Sequence, residues 1–215
     1  MERQITQKVA SLPTIRRLPL YLHLLKELLK AGECVVSGTL LAEKMHCEPI
    51  QVRKDLSLTG IEGRPRIGFV IADTIRAIED FLGWNNPWDA FLIGVGSLGS
   101  ALLGYKAFEQ NHLRIVAAFD NDKKKCGKTI HGKEVLHISK LEDLTQRMHV
   151  HIAILTVPQT ASQEIASYLV KCNINGIWNF TPGKLVVPSH VIVQNEDLSS
   201  GLAVLCKRLQ DRSNS

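Results

Sequence analysis

Residues 90–99 read Ala90-Phe91-Leu92-Ile93-Gly94-Val95-Gly96-Ser97-Leu98-Gly99, an apolar run that passes into three closely spaced glycines. Between a strand and a helix such a run has a mechanical meaning. The first glycine permits the tight turn out of the strand. The second lets backbone approach a pyrophosphate, and the third lets the helix pack closely on the strand. The helix that follows, read over residues 97–110, offers its unpaired N–H groups to the anion. Alone, the run is a weak signal, and the chain on either side has to be read with it.

Downstream, short apolar runs at residues 90–95, 113–119, 151–157, 176–178 and 191–193 alternate with helical segments at 97–110, 139–147 and 161–172. That alternation predicts a parallel sheet with helices on both faces, a Rossmann-type α/β domain. The second run ends in Phe119-Asp120, twenty-one residues past Gly99, where an acid is expected to bind the adenosine ribose of a dinucleotide. A carboxylate there repels a 2′-phosphate and favours NAD over NADP. Lys123-Lys124-Lys125 beside it either offers charge for such a phosphate or is a solvated turn.

Thr156-Val157-Pro158 and Asn179-Phe180-Thr181-Pro182-Gly183 follow the third and fourth runs, at the strand ends where open parallel sheets bind ligands. They are expected to floor the nicotinamide half, unless their prolines merely stop strands. After the sheet only Leu198 to Ser215 remain, too few for a substrate domain. No Ser-x-x-x-Lys, Tyr-x-x-x-Lys or His–carboxylate pair is placed for the acid–base work of hydride transfer. The nucleotide is expected to be read rather than consumed, and the protein not to be an enzyme.

Upstream, Ile15, Leu18, Leu22, Leu25 and Leu29 recur at three- and four-residue spacing, one face of an amphipathic helix that Gly32 ends. Pro19 suggests that the regular helix begins near it, with the proline in the first turn. Ser37 is a suitable cap for a short second helix at residues 39–45. Pro49 leads a third over 50–58.

Helix, tight turn and helix make a helix-turn-helix pattern, and the other reading is a small bundle that touches only protein. In the third helix Val52 and Leu56 face inward, while Gln51, Arg53, Lys54 and Ser57 are types that reach base edges and phosphates in a major groove. Residues 60–71, with three glycines and Pro65 around Arg64 and Arg66, suit a hairpin with the arginines near its tip. A hairpin behind a helix-turn-helix makes a winged helix. A helix over 73–82, closed by Gly83, leads to a domain boundary at Asn85-Asn86-Pro87.

The chain has 215 residues, 45% of them hydrophobic and 22% charged, as in ordinary globular proteins. No apolar run nears the roughly 20 residues of a membrane helix, and no signal peptide is recognised. A cytoplasmic protein is expected. Five dispersed cysteines suit reduced thiols. His149-Val150-His151 is expected on a strand with both rings on one face, at the surface or a strand edge, and no metal site is expected. Net charge is +5, and residues 1–66 hold eleven Lys or Arg against seven Asp or Glu, so most of the excess lies in the first third.

Gln51-Val52-Arg53-Lys54-Asp55-Leu56-Ser57, the glycine-rich wing, Gly94 to Gly99, Phe119-Asp120, Leu155 to Pro158, Asn179-Phe180 and Asn195-Glu196-Asp197 occur in one order. Together they resemble the Rex family of redox-sensing transcriptional repressors, over nearly the whole chain. The resemblance implies a homodimer that binds palindromic operator DNA and releases it when NADH displaces NAD⁺. It also implies a winged-helix domain (1–83), a Rossmann NAD(H)-binding domain (84–196) and a C-terminal helix exchanged between subunits (197–215).

By the same resemblance Gly94, Val95, Gly96, Ser97, Leu98 and Gly99 hold the pyrophosphate and Asp120 the ribose. Thr156, Val157, Pro158, Asn179, Phe180 and Tyr105 complete the nucleotide site. Gln51, Arg53, Lys54, Ser57, Arg64 and Arg66 contact DNA, and Arg16 and Arg17 of the first helix are counted with them. Asp197 matches a switch acid whose arginine partner is replaced here by His23, and Tyr105 is placed at the same interface. The wing, Gly63-Arg64-Pro65-Arg66, and Leu58-Thr59 after the recognition helix also depart from the family pattern.

Overall fold

The structure, a computed structural model, describes residues 10–213. It divides into two compact units, the first running to Asn86 and the second from Pro87.

The first unit opens with α1, Leu12–Lys30. Ser11 caps it by accepting from the Thr14 N–H, and a proline stands in the first turn, so the start lies seven residues before Pro19 rather than near it. Pro19 forfeits one internal hydrogen bond, which does not end the helix because Leu18, Tyr21, Leu22 and Leu25 around it are buried. The buried stripe is also rotated from the expected one. Ile15 and Leu29 are 38% and 44% exposed, while Thr14 and Tyr21 point inward, where they find a polar partner.

Next come β1 (Val35–Val36), α2 (Gly38–Lys44), α3 (Pro49–Ser57), β2 (Phe69–Val70) and α4 (Ile71–Leu82). Ser37 caps α2 through the Leu40 N–H, and Val52 and Leu56 of α3 enter a core with Leu41, Phe69 and Ile78. The expected hairpin is reduced to one bridge, Arg64 to Gly68, around a turn in which Arg66 is left-handed at φ 63°. The strand that follows it pairs instead with β1, Val35 opposite Val70 and Val36 opposite Phe69. Gly68, at φ 93°, makes this possible, since a side chain there would strike the Val36 carbonyl oxygen. Small sheet, turn and the helices α1, α2 and α3 form a winged helix-turn-helix, and α4 leads out of it.

The second unit is built on a seven-stranded sheet ordered β5-β6-β4-β3-β7-β8-β9. Its strands are β3 (Trp88–Ile93), β4 (Leu113–Asp120), β5 (Thr129–Ile130), β6 (Lys133–His137), β7 (Ile152–Leu155), β8 (Gly176–Asn179) and β9 (Ile192–Asn195). Only β5 runs antiparallel, in a hairpin with β6 that sequence reading missed. Alternation along β3 divides the core. Phe91 and Ile93 pack with Phe119, Leu155, Ala166 and Leu169 on the side of α7 (Leu141–Met148) and α8 (Gln159–Lys171). Ala90 and Leu92 pack with Leu103, Ala118 and Ile154 on the other.

Two expectations change here. The single helix over 97–110 is broken into α5 (Ser97–Leu103) and α6 (Ala107–Gln110), with Gly104, Tyr105 and Lys106 between them. At Gly104 the His131 ring lies where a side chain would be, 2.7 Å from an added Cβ. His149 and His151 are not on a strand. His149 is the left-handed cap of α7 (φ 53°), and β7 begins only at Ile152. The last element, α9 (Leu198–Ser213), is exposed from Ser199 onward, with Leu202, Leu205 and Leu209 each more than half exposed.

Candidate nucleotide site and nucleic-acid face

At the carboxyl end of β3 the chain turns at Gly94, φ 95°, whose N–H donates to the Phe119 carbonyl (2.8 Å). An added Cβ at Gly94 would lie 2.8 Å from Val157 Cγ1 and 2.9 Å from the Thr156 oxygen. At Gly99 it would run into the Gly94 carbonyl oxygen. At Gly96 it would meet nothing within 4 Å. Packing therefore demands glycine at 94 and 99, while Gly96 faces open space in which a phosphate could approach the backbone. No side chain caps the start of α5, so its first N–H groups stay available to an anion. Thr156 braces the loop, its hydroxyl donating to the Gly94 carbonyl at 2.7 Å.

The loop borders a cavity of about 480 Å3 lined by Gly94, Gly96, Asp120, Lys125, Thr156, Val157 and Pro158, with Ile138, Ala161 and Ile165 as an apolar wall. Asp120, only 7% exposed, accepts from the Val95 N–H (2.8 Å), the Asp122 N–H (2.9 Å) and Lys125 Nζ (2.9 Å). Burial disfavours its charge, but those hydrogen bonds outweigh burial and hold the carboxyl below the usual carboxylate range. Lys125 thus belongs to the site as counter-ion to Asp120, which its place in a lysine run concealed.

Other residues expected in this site lie elsewhere. Asn179 is fully buried and spent: its amide nitrogen donates to Asn195 Oδ1 (2.8 Å) and the Gly183 carbonyl, and its oxygen accepts from Thr181 N–H and hydroxyl. Phe180 lies tilted against Trp178, ring centroids 5.1 Å apart, in an aromatic row that continues through Phe108 to the exposed Tyr105. Asp197 accepts from the Ser199 N–H (2.9 Å) and hydroxyl at the start of α9, and these bonds hold its carboxyl below the usual range. His23 pairs with Glu27 at 3.2 Å on the surface of α1.

In the first unit Arg53, Lys54 and Ser57 stand exposed along α3, and Arg64 and Arg66 on the wing. A groove of about 600 Å3 lies between them, lined by Arg53, Arg64 and Arg66 together with Ser57, Ser37 and Thr39. Three guanidinium groups around one groove suit a phosphate backbone. Arg16 is exposed, but Arg17 is engaged: its Nε and a terminal nitrogen bond Asp55 at 2.7 and 2.9 Å. Gln51 is half-buried and donates to the same acid. Asp55 went unnoticed in the sequence, although an acid between the inward Val52 and Leu56 was a visible signal.

Comparison with known proteins agrees with this division. A family described as "Putative DNA-binding protein N-terminus" matches residues 10–57, and one described as "CoA binding domain" matches residues 85–183. A redox-sensing transcriptional repressor Rex from Treponema denticola is 52% identical over 93% of this chain and 95% of its own. A solved Rex-family repressor, RSP, is 33% identical. Its complex with NADH superposes with a TM-score of 0.86 over 96% of this chain and 97% of its own. Its complex with NAD⁺ and operator DNA superposes at 0.89 over 96% and 95%.

Proposed function

The chain belongs to the Rex family of redox-sensing transcriptional repressors, and we infer from this that its two units are the output and the input of one switch. The protein is a DNA-binding repressor that senses NADH. The winged helix holds operator DNA, with α3 in the major groove and the arginines of the wing on the backbone. The second unit holds NAD(H), the pyrophosphate on Gly94 to Gly99 and the adenosine ribose on Asp120. The observation that carries this assignment is the cradle itself, open at Gly96 and blocked to side chains at Gly94 and Gly99, with an ionised acid beside it. The nucleotide enters as an effector, and no covalent step is asked of the protein.

Asp120 also bears on which nucleotide. Coenzyme A and NADP(H) carry a phosphate on the adenosine ribose, which an ionised carboxylate repels, whereas the bare diol of NAD(H) donates to it. The exposed apolar face of α9 supports a homodimer in which each subunit covers the other's helix, with two heads on a palindromic operator in the cytoplasm. Asp197 is the switch acid. With His23 in place of an arginine the switch lacks a guanidinium at that position, so His23→Arg should change how readily NADH releases operator, and no change would mean that His23 does not limit the switch.

Gel-shift titration on duplexes from the protein's own promoter region, with NADH and NAD⁺ in turn, tests the whole. NADH should release DNA that NAD⁺ leaves bound. Tight binding indifferent to NADH would remove the sensing half and keep the repressor.

A further inference from the structure

The recognition helix carries a buried acid on which five donor atoms converge. Asp55 is 1% exposed. It accepts from Arg17 Nε (2.7 Å) and a terminal nitrogen of the same guanidinium (2.9 Å), from Thr14 Oγ1 and the Tyr21 hydroxyl (3.1 Å each), and from Gln51 Nε2 (2.8 Å). Thr14, Arg17 and Tyr21 all belong to α1, so the carboxylate fastens α1 to α3. Gln51 belongs to α3 itself, in the first turn, where side chains of a recognition helix reach base edges.

The chemistry of this contact is one-sided. An ionised carboxylate only accepts, so the amide of Gln51 must turn its nitrogen toward Asp55 and its oxygen away. On an open helix face a Gln–Asp pair four residues apart is weak and exchanges freely with water. Here the acceptor is buried and held from the other side by Arg17, Thr14 and Tyr21, so it cannot follow a rotating amide. A free glutamine offers either end to DNA, and this one does not.

We propose that Asp55 is a positioning residue for base recognition, holding Gln51 so that its amide oxygen is the end offered to the major groove. Gln51 then reads an exocyclic amino group, adenine N6 or cytosine N4, and discriminates against guanine and thymine, which present acceptors there. The inference rests on the DNA-binding reading of α3 and adds to it which atom reads and what orients it.

Selection of bound sequences from a randomised duplex pool by the full-length protein tests it. Gln51→Ala should lose base preference at one pair, an adenine or cytosine on the contacted strand. Asp55→Asn, the same shape but able to donate, should lose preference at that same pair, and the double variant should lose nothing further. A purely structural Asp55 would weaken all sequences alike and leave the preferences unchanged, which would overturn the proposal. So would a guanine or thymine at the Gln51 position, or no loss in Gln51→Ala.

A second measurement needs no Asp55 variant. Replacing the selected base by an analogue without the exocyclic amino group should cost the unsubstituted protein about tenfold in affinity and Gln51→Ala nothing. Equal losses in both would overturn the proposal. Failure of the unsubstituted protein to enrich any sequence would strike down the DNA-binding reading itself, a result distinct from all of these.

Discussion

Asp55 keeps its charge with almost no water around it. Burial opposes ionisation, and the hydrogen bonds from Arg17, Gln51 and Thr14, with the attraction of Arg17, overcome it and hold the carboxyl below its ordinary value. A depressed carboxyl stabilises the fold above its unfolded pKa, and that contribution drains away as pH falls through the folded value. The first unit should therefore loosen on acidification below about pH 4. Asp55→Asn should flatten that loss and cost about 3 kcal/mol at neutral pH, because Arg17 and Tyr21 lose the acceptor they share. Asp120 contributes with the same sign in the other unit, so the readout must be local, namely hydrogen exchange of the α3 amides across pH. Gly99 makes the contrasting case, where shape and not charge decides. A methyl there meets the Gly94 backbone carbonyl oxygen, which cannot swing aside as a side chain can, and Thr156 Oγ1 at 2.8 Å. Gly99→Ala should weaken NADH binding at least tenfold, about 1.4 kcal/mol, while leaving operator binding in place. Unchanged NADH affinity by fluorescence titration would count against the cradle.

At the scale of elements, α3 supplies two cations with no structural duty. Arg53 and Lys54 are exposed and the adjoining acid faces inward, so Arg53→Ala with Lys54→Ala should weaken DNA binding without unfolding the unit. If each neutralises one phosphate, the slope of log affinity against log salt should become shallower by about 1.8 for each head bound, so about 3.6 for two heads on one operator. An unchanged slope would move the DNA contact elsewhere. How far this was legible beforehand depended on the range of the interaction. The parallel strands and α3 were readable because period and caps are local: Phe91 and Ile93 alternate with Ala90 and Leu92, and Pro49 opens its helix. β1 and β5, two residues each, carry no period, and their pairing is decided by β2 and β6 far along or across a turn. Pro19 misled because burial of Leu18 and Tyr21 outweighs one lost backbone bond. Asn179 and Arg17 have engagements in the fold that the sequence does not show. Each has the right type and place for a ligand contact, but Asn195 and Asp55, distant in sequence, have already taken its hydrogen bonds.

For the whole molecule the question is what α9 is for. A 16-residue helix with leucines 202, 205 and 209 in water gains little from its own hydrogen bonds, and a second subunit is the partner that would cover them. Leu205→Asp should shift the protein toward monomer in sedimentation and weaken operator binding, because two heads joined in one dimer bind far more tightly than either alone. The switch is also testable as a thermodynamic cycle. If NADH at both sites of a dimer lowers operator affinity by some factor, saturating operator must lower the product of the two NADH affinities by the same factor, since both paths join the same end states. A hundredfold effect corresponds to about 2.7 kcal/mol of coupling. NADH titrated by fluorescence with and without duplex, and duplex titrated with and without NADH, should return one number. If Leu205→Asp retains NADH binding but drives that number toward unity, the coupling is a property of the assembled pair. If the coupling survives intact in a monomer, the switch is contained in a single chain and α9 serves only to hold two of them together.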